Sequence, residues 1–135
     1  VPVNDLRVDE AGMRSLVGYG DTISESDRDT IREHMLAASQ LNAASYPDIN
    51  FSSSRCTGSG TAGTLTVEGS LTVRGRSAAV TVPVAFEVAG DQFYAQASFE
   101  MVHADFGMTP YTAFAGAVRN ADPLVFTFDL VGSTD

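Results

Sequence analysis

The sequence holds a single cysteine, Cys56, so no intramolecular disulfide can staple the chain. This absence excludes a disulfide scaffold but leaves the redox compartment open, since exported proteins without disulfides exist. Basic residues are few: Lys and Arg number 8 against 17 Asp and Glu, for a formal net charge of −9. No segment is basic enough to neutralise a run of phosphates, which argues against a nucleic-acid partner. The same charge disfavours lasting attachment to an anionic membrane surface, though not brief contact during lipid pick-up. No apolar run approaches the ~20 residues of a transmembrane helix, and no signal-peptide pattern is present, so stable membrane insertion is not expected. Val1 stands where an initiator Met would. The expected start is therefore processed or trimmed, and a targeting segment is among the things such trimming removes.

Motifs that would carry chemistry are scarce as well. Gly58-Ser59-Gly60-Thr61-Ala62-Gly63 spells a dinucleotide-type G-x-G-x-x-G, but that motif needs a helix opening at its end. Here Thr64-Leu65-Thr66-Val67 follows, which reads as strand, so the glycines form a flexible turn. His34 and His103 are the two histidines, and nothing in their spacing forces a shared site with Asp105. No metal is expected: His34 reads as a solvated helix residue and His103 as a hydrogen-bonding strand end. Cys56 has only Arg55 beside it, which is too little to activate a thiol. No serine sits in a Gly-x-Ser-x-Gly elbow. Asp27 and Asp29 resemble paired carboxylates but are explained as charges at a helix N-terminus. No cofactor is expected.

What the sequence does contain is alternation. Its 135 residues, 44% hydrophobic and 19% charged, make one globular domain's worth of chain. Val1–Val8 reads as a short strand and Glu10–Gly20 as a loop. Ser24-Glu25-Ser26-Asp27 and Ser26-Asp27-Arg28-Asp29 both fit a helix-capping pattern, and Ile31, Met35, Ala38 and Leu41 recur at helical spacing. A helix over about 25–42 follows, ended by Tyr46-Pro47. Everything beyond has period two. Ile49 and Phe51 start a strand. Leu65, Val67, Gly69, Leu71 and Val73 alternate with polar residues in the next, with Gly69 where a barrel strand bends. Val80, Val82, Val84 and Phe86 mark the return strand after the turn at Arg74–Ser77. Phe93, Ala95, Ala97, Phe99 and Met101 line the strand after Ala89-Gly90-Asp91. A short piece near Ala115–Arg119 precedes a last strand with Leu124, Phe126, Phe128 and Leu130. One helix and about six strands joined by short turns predict an all-β, antiparallel meander that closes as a sandwich or barrel.

Several stretches resemble one family in order and approximate spacing. These are Tyr46-Pro47-Asp48-Ile49-Asn50-Phe51-Ser52-Ser53, Gly69-Ser70-Leu71-Thr72-Val73-Arg74-Gly75, Val80-Thr81-Val82-Pro83-Val84, Asp105-Phe106-Gly107-Met108 and Val125-Phe126-Thr127-Phe128-Asp129-Leu130. The chain is similar over residues 1 to 131 to the YceI-like family of lipocalin-like β-barrels. Two positions depart from the family pattern: His103 stands where an Arg usually precedes Asp-Phe-Gly, and Arg76-Ser77 replaces a Thr-containing turn. The resemblance implies an eight-stranded barrel with an elongated apolar interior holding a polyisoprenoid, such as an isoprenoid quinone or a prenyl phosphate. Against that pattern the chain starts at the third strand. The expectation is a single domain over 1–135, N-terminally truncated, forming a barrel or an incomplete barrel with one inserted helix. In such a bacterial-looking family the Asn50-Phe51-Ser52 sequon carries no weight.

The leading functional expectation is non-catalytic binding or transport of an isoprenoid-type lipid. Each buried methylene is worth ~0.8 kcal/mol, so a prenyl chain needs no polar anchor. The candidate ligand-binding residues are the inward series Leu65, Val67, Leu71, Val82, Val84, Phe93, Ala97, Phe99, Phe126 and Phe128. Tyr111 and Phe114 are candidate mouth residues, and His103 or Arg119 a candidate headgroup contact. Ala95 and Ala97 between Phe93 and Phe99 leave space on that face. One rival is a β-module whose open edges pair with a partner chain or a neighbouring copy that supplies the missing strands. Against that completion stands re-closure of the remaining strands into a smaller sandwich, with the 25–42 helix covering the gap and Pro83 blunting one edge. Another is a barrel enzyme that folds a polyene or polyketide by shape alone.

Overall fold

The computed structural model describes residues 1–135 apart from 11, 17, 21, 134 and 135. The chain divides into two compact units. One comprises Val1–Ile49 with Val73–Gly75; the other takes Asn50–Thr72 and the chain from Arg76 onward.

The first unit carries the helices. A short α1 spans Met13–Leu16 inside the stretch expected as loop, of which residues 11 and 17 lie outside the described set. Helix α2 spans Glu25–Leu36. Of the two capping patterns, the chain uses Ser24: its Oγ accepts from the Asp27 N–H at 3.1 Å and donates to Asp27 Oδ2 at 2.7 Å. The helix stops short of the expected 42. Ala37 turns extended (ψ 162°), and the N–H groups of Leu41 and Ala43 return to the carbonyls of Met35 and Leu36 at 3.0 and 3.1 Å. Arg74 Nη2, far along the chain, donates to the Ala38 carbonyl at 2.8 Å. Those bonds satisfy the loose carbonyls at and beyond the helix end, so Ala38 and Leu41 lie in turns rather than on the expected stripe. The expected strand at Val1–Val8 reduces to one bridge, Pro2 with Asp48, followed by a 3-10 turn over Val3–Asp5. Pro2 has no N–H for a ladder, and Asn4-Asp5 favour turns. Val3, 1% exposed, anchors this unit and donates its N–H to the Pro47 carbonyl at 2.7 Å.

The second unit is an antiparallel sheet. Its elements are β1 (Asn50–Thr57), β2 (Ala62–Val73), β3 (Arg76–Ala89), β4 (Gln92–Val102), β5 (Thr112–Ala113), β6 (Val118–Arg119) and β7 (Pro123–Ser133). The main sheet has five strands in the order β1-β2-β3-β4-β7, and β5 pairs only with β6. This is the antiparallel all-β architecture the alternation predicts, but the sheet does not close into a barrel: it is open, with β1 and β7 at its edges. The glycine-rich segment is the β1–β2 turn: β2 begins at Ala62, so no helix opens there to cradle a pyrophosphate.

Turn chemistry follows from the residues. Arg74 (φ 51°) and Gly75 (φ 70°) make the two-residue link from β2 to β3, both left-handed as such a hairpin requires. Gly69 sits opposite a bulge in β1, where the register slips between Ser53 and Arg55. A Cβ on Gly69 would lie 2.5 Å from the Ser52 carbonyl oxygen, so only glycine fits. Pro83 does not blunt an edge: β3 is an inner strand. Its register with β4 runs from Ala85 opposite Gln96 to Ala89 opposite Gln92, and Pro83 lies just before that ladder.

Candidate functional site

The strand period puts the large apolar residues of the second unit on one face of the sheet. Val82, Val84, Ala95 and Ala97 are buried there, with Leu65, Val67, Val80, Phe93, Phe99 and Phe128 packed half-buried around them. The β4–β7 register sets Phe99 opposite Phe126, Ala97 opposite Phe128 and Ala95 opposite Leu130. Phe99 and Phe126 stack at 5.2 Å between centroids, 14° from parallel, while Phe128 meets Phe99 edge-on at 6.5 Å. Phe86, opposite Ala95 on the other side, stacks on Phe93 at 6.2 Å. The two alanines therefore form a small-residue row across which Phe86, Phe128 and Leu130 stand.

The structure thus brings Leu65, Val67, Val82, Val84, Phe93, Ala97, Phe99, Phe126 and Phe128 onto one surface. Leu71, buried near the end of β2, keeps the alternation of Leu65 and Val67. Tyr111 and Phe114 lie outside the strands of the five-stranded sheet. Tyr111 is half-buried just before β5, and Phe114 projects from the tip of the β5–β6 hairpin, 82% exposed.

One end of this face is closed by the chain after β4. Phe106, 0% exposed, sits edge-on to Phe126 at 6.4 Å. Asp105 Oδ2 accepts from the Val102 N–H at 3.0 Å, and Gly107 takes a left-handed φ of 64° that lets the Met108 N–H reach the His103 carbonyl at 3.0 Å. Asp-Phe-Gly-Met is thereby a knob that ends β4 and plugs the apolar face with a ring. Sequence reasoning missed Phe106 as a core residue because it follows no strand period.

The polar candidates are spread out. His103 is 4% exposed, and its Nδ1 lies 2.8 Å from the Asp122 carbonyl. A carbonyl can only accept, so Nδ1 carries the proton and the ring ties the end of β4 to the start of β7. Arg119 is exposed on β6, opposite Thr112. His34 is exposed in the last turn of α2, and Cys56 is exposed on β1. Among the described residues no group of three or more His, Cys, Asp or Glu could hold a metal ion.

Comparison with known proteins assigns the fold. The family model described as the YceI-like domain matches residues 12–131. This chain belongs to the YceI-like family. The structure of BcnA from Burkholderia cenocepacia superposes with a TM-score of 0.65 at 22% identity, covering 78% of this chain and 65% of that one. A YceI protein from Campylobacter jejuni superposes with the same TM-score of 0.65 at 14% identity, covering 82% of this chain and 66% of that one. The YceI-like chain thus spans just under two thirds of the length of either structure. No curated protein matches the sequence closely enough to be called a relative. The Asp105–Met108 knob and the Gly69–Gly75 hairpin segment, quoted above for the resemblance, are where this chain turns and plugs its sheet.

Proposed function

We propose that this YceI-like chain binds a long apolar lipid of the isoprenoid type, an isoprenoid quinone or a prenyl phosphate, along the apolar face of its sheet. The observation that carries this reading is the Ala95–Ala97 row flanked by Phe86, Phe93, Phe99 and Phe128. A row of small side chains walled by rings accepts a narrow, flexible hydrocarbon. At ~0.8 kcal/mol per buried methylene, contact area alone supplies the affinity. The reading is a binder or carrier without a catalytic step, and family membership supports the same ligand class. Its test is titration of the delipidated chain with a detergent-solubilised fluorescent prenyl phosphate, beside an Ala97→Phe variant whose fold is checked by circular dichroism. Saturable binding that Ala97→Phe removes supports the reading. Equal binding by the folded variant places the ligand elsewhere.

A second reading, a module completed by a partner chain or a neighbouring copy, is favoured by a difference between the two sheet edges. β1 is bulged, polar and carries Arg55, the devices that protect an edge. β7 pairs with β4 through eleven unshifted residue pairs and leaves Val125, Leu130 and Val131 exposed. Sedimentation at low concentration tests it, and a homogeneous monomer with no second polypeptide present would sink it.

A further inference from the structure

Residues 106–121, lying between Asp105 and Asp122, include one charged side chain, Arg119, in a chain whose net charge is −9. Within this stretch β5 and β6 form a hairpin: Thr112 pairs with Arg119 and Ala113 with Val118. The Asn120 N–H donates to the Tyr111 carbonyl at 2.9 Å and the Ala117 N–H to the Phe114 carbonyl at 3.1 Å. Residues 114–118, Phe-Ala-Gly-Ala-Val, are all exposed. Phe114 reaches 82% exposure and Val118 53%. The tip backbone is left-handed at Phe114 (φ 50°) and Ala115 (φ 54°), a region that strains any residue with a Cβ. Two strained residues therefore hold an aromatic ring out in water, where it contributes little to folding. Such an arrangement points to contact with something outside the chain.

We propose that the β5–β6 tip is a lipid-surface contact, in which Phe114, Ala115, Ala117 and Val118 enter the interfacial layer of an electrically neutral bilayer. Its purpose rests on the lipid-binding reading above, as the place where cargo is loaded or released. The tip's chemistry selects a bilayer. It is convex and apolar and offers no charged or hydrogen-bonding side chain at its summit, so a folded protein partner would find nothing directional to recognise. A fluid hydrocarbon layer accepts an apolar wedge without shape matching. Arg119, opposite Thr112 at the base of the hairpin, suits the depth of the headgroup phosphates. The acidic remainder of the chain favours a zwitterionic surface over an anionic one.

The test is flotation of the full chain with phosphatidylcholine vesicles. The chain is expected to rise with the vesicles, and to rise less with equal parts phosphatidylcholine and phosphatidylglycerol. Phe114→Ser should weaken partitioning about tenfold. The sequence has no tryptophan, so Phe114→Trp introduces a unique fluorophore that should retain partitioning and shift its emission to the blue on vesicle addition. Absence of flotation, equal flotation by Phe114→Ser, or an unmoved tryptophan emission in a Phe114→Trp chain that floats would each overturn the proposal. So would Phe114-dependent self-association, seen by sedimentation, in a chain that ignores vesicles. Cargo binding is read separately with solubilised lipid and no vesicles. Flotation without cargo binding overturns the carrier reading alone; cargo binding without flotation overturns the surface contact alone.

Discussion

Gly107 and Arg76 lie so close that a β-carbon on Gly107 would sit 2.6 Å from Arg76 Nε. Gly107 also holds a φ of 64°, which L residues with a Cβ rarely adopt. Two independent constraints thus act on the third residue of the Asp-Phe-Gly-Met knob. Gly107→Ala is expected to destabilise the protein by about 1–3 kcal/mol, read as a lowered midpoint in urea. Because Arg76 is flexible, the steric part should diminish in an Arg76→Ala background while the backbone part remains. An equal cost in both backgrounds would assign the whole effect to φ.

Phe106 fills the end of the apolar face with no exposed surface, against Phe126. Phe106→Ala is expected to cost about 3–5 kcal/mol, enough to remove most of the stability of a marginal domain. Loss of tertiary signal in near-ultraviolet circular dichroism measures it. A cost below ~1 kcal/mol would show that the knob is not part of the core.

Ser24 and Ser26 compete as caps on paper, and only Ser24 Oγ accepts the Asp27 N–H. Ser24→Ala should therefore lower stability by about 1 kcal/mol, and Ser26→Ala by only a few tenths. Thermal melts of the two variants compare them directly, and the reverse order would move the helix start.

The proposed lipid binding is expected to survive His34→Ala, His103→Ala and Cys56→Ser made together. His34 and Cys56 are exposed, and His103 spends Nδ1 on the Asp122 carbonyl. Losing that buried hydrogen bond should cost about 1–3 kcal/mol of stability, so binding is measured under conditions where the variant remains folded. More than about tenfold weaker binding would reveal a polar anchor, since tenfold is ~1.4 kcal/mol, about one hydrogen bond.

The sequence by itself determined the local matters. Strand period follows from side chains alternating across a pleated backbone, so the shared face of Phe93, Ala95, Ala97 and Phe99 is legible without knowing what pairs with them. The capping signature within Ser24–Asp29, though not the choice of Ser24 over Ser26, and the turns at Gly75 and Gly90 likewise depend on a few neighbouring residues. Tertiary structure decided whatever depends on a distant partner. Beyond the helix end at Leu36, Arg74 takes the Ala38 carbonyl, and no periodicity in residues 25–42 records that. β7 lies beside β4 across the intervening hairpin, which sets Phe128 over Ala97 and turns an apparent gap into a walled row. Phe106 is buried and Phe114 exposed although both are phenylalanines in loops between strands. Burial is a property of what packs against a residue, and for residues outside a strand that neighbour is set by the fold rather than by spacing in the chain.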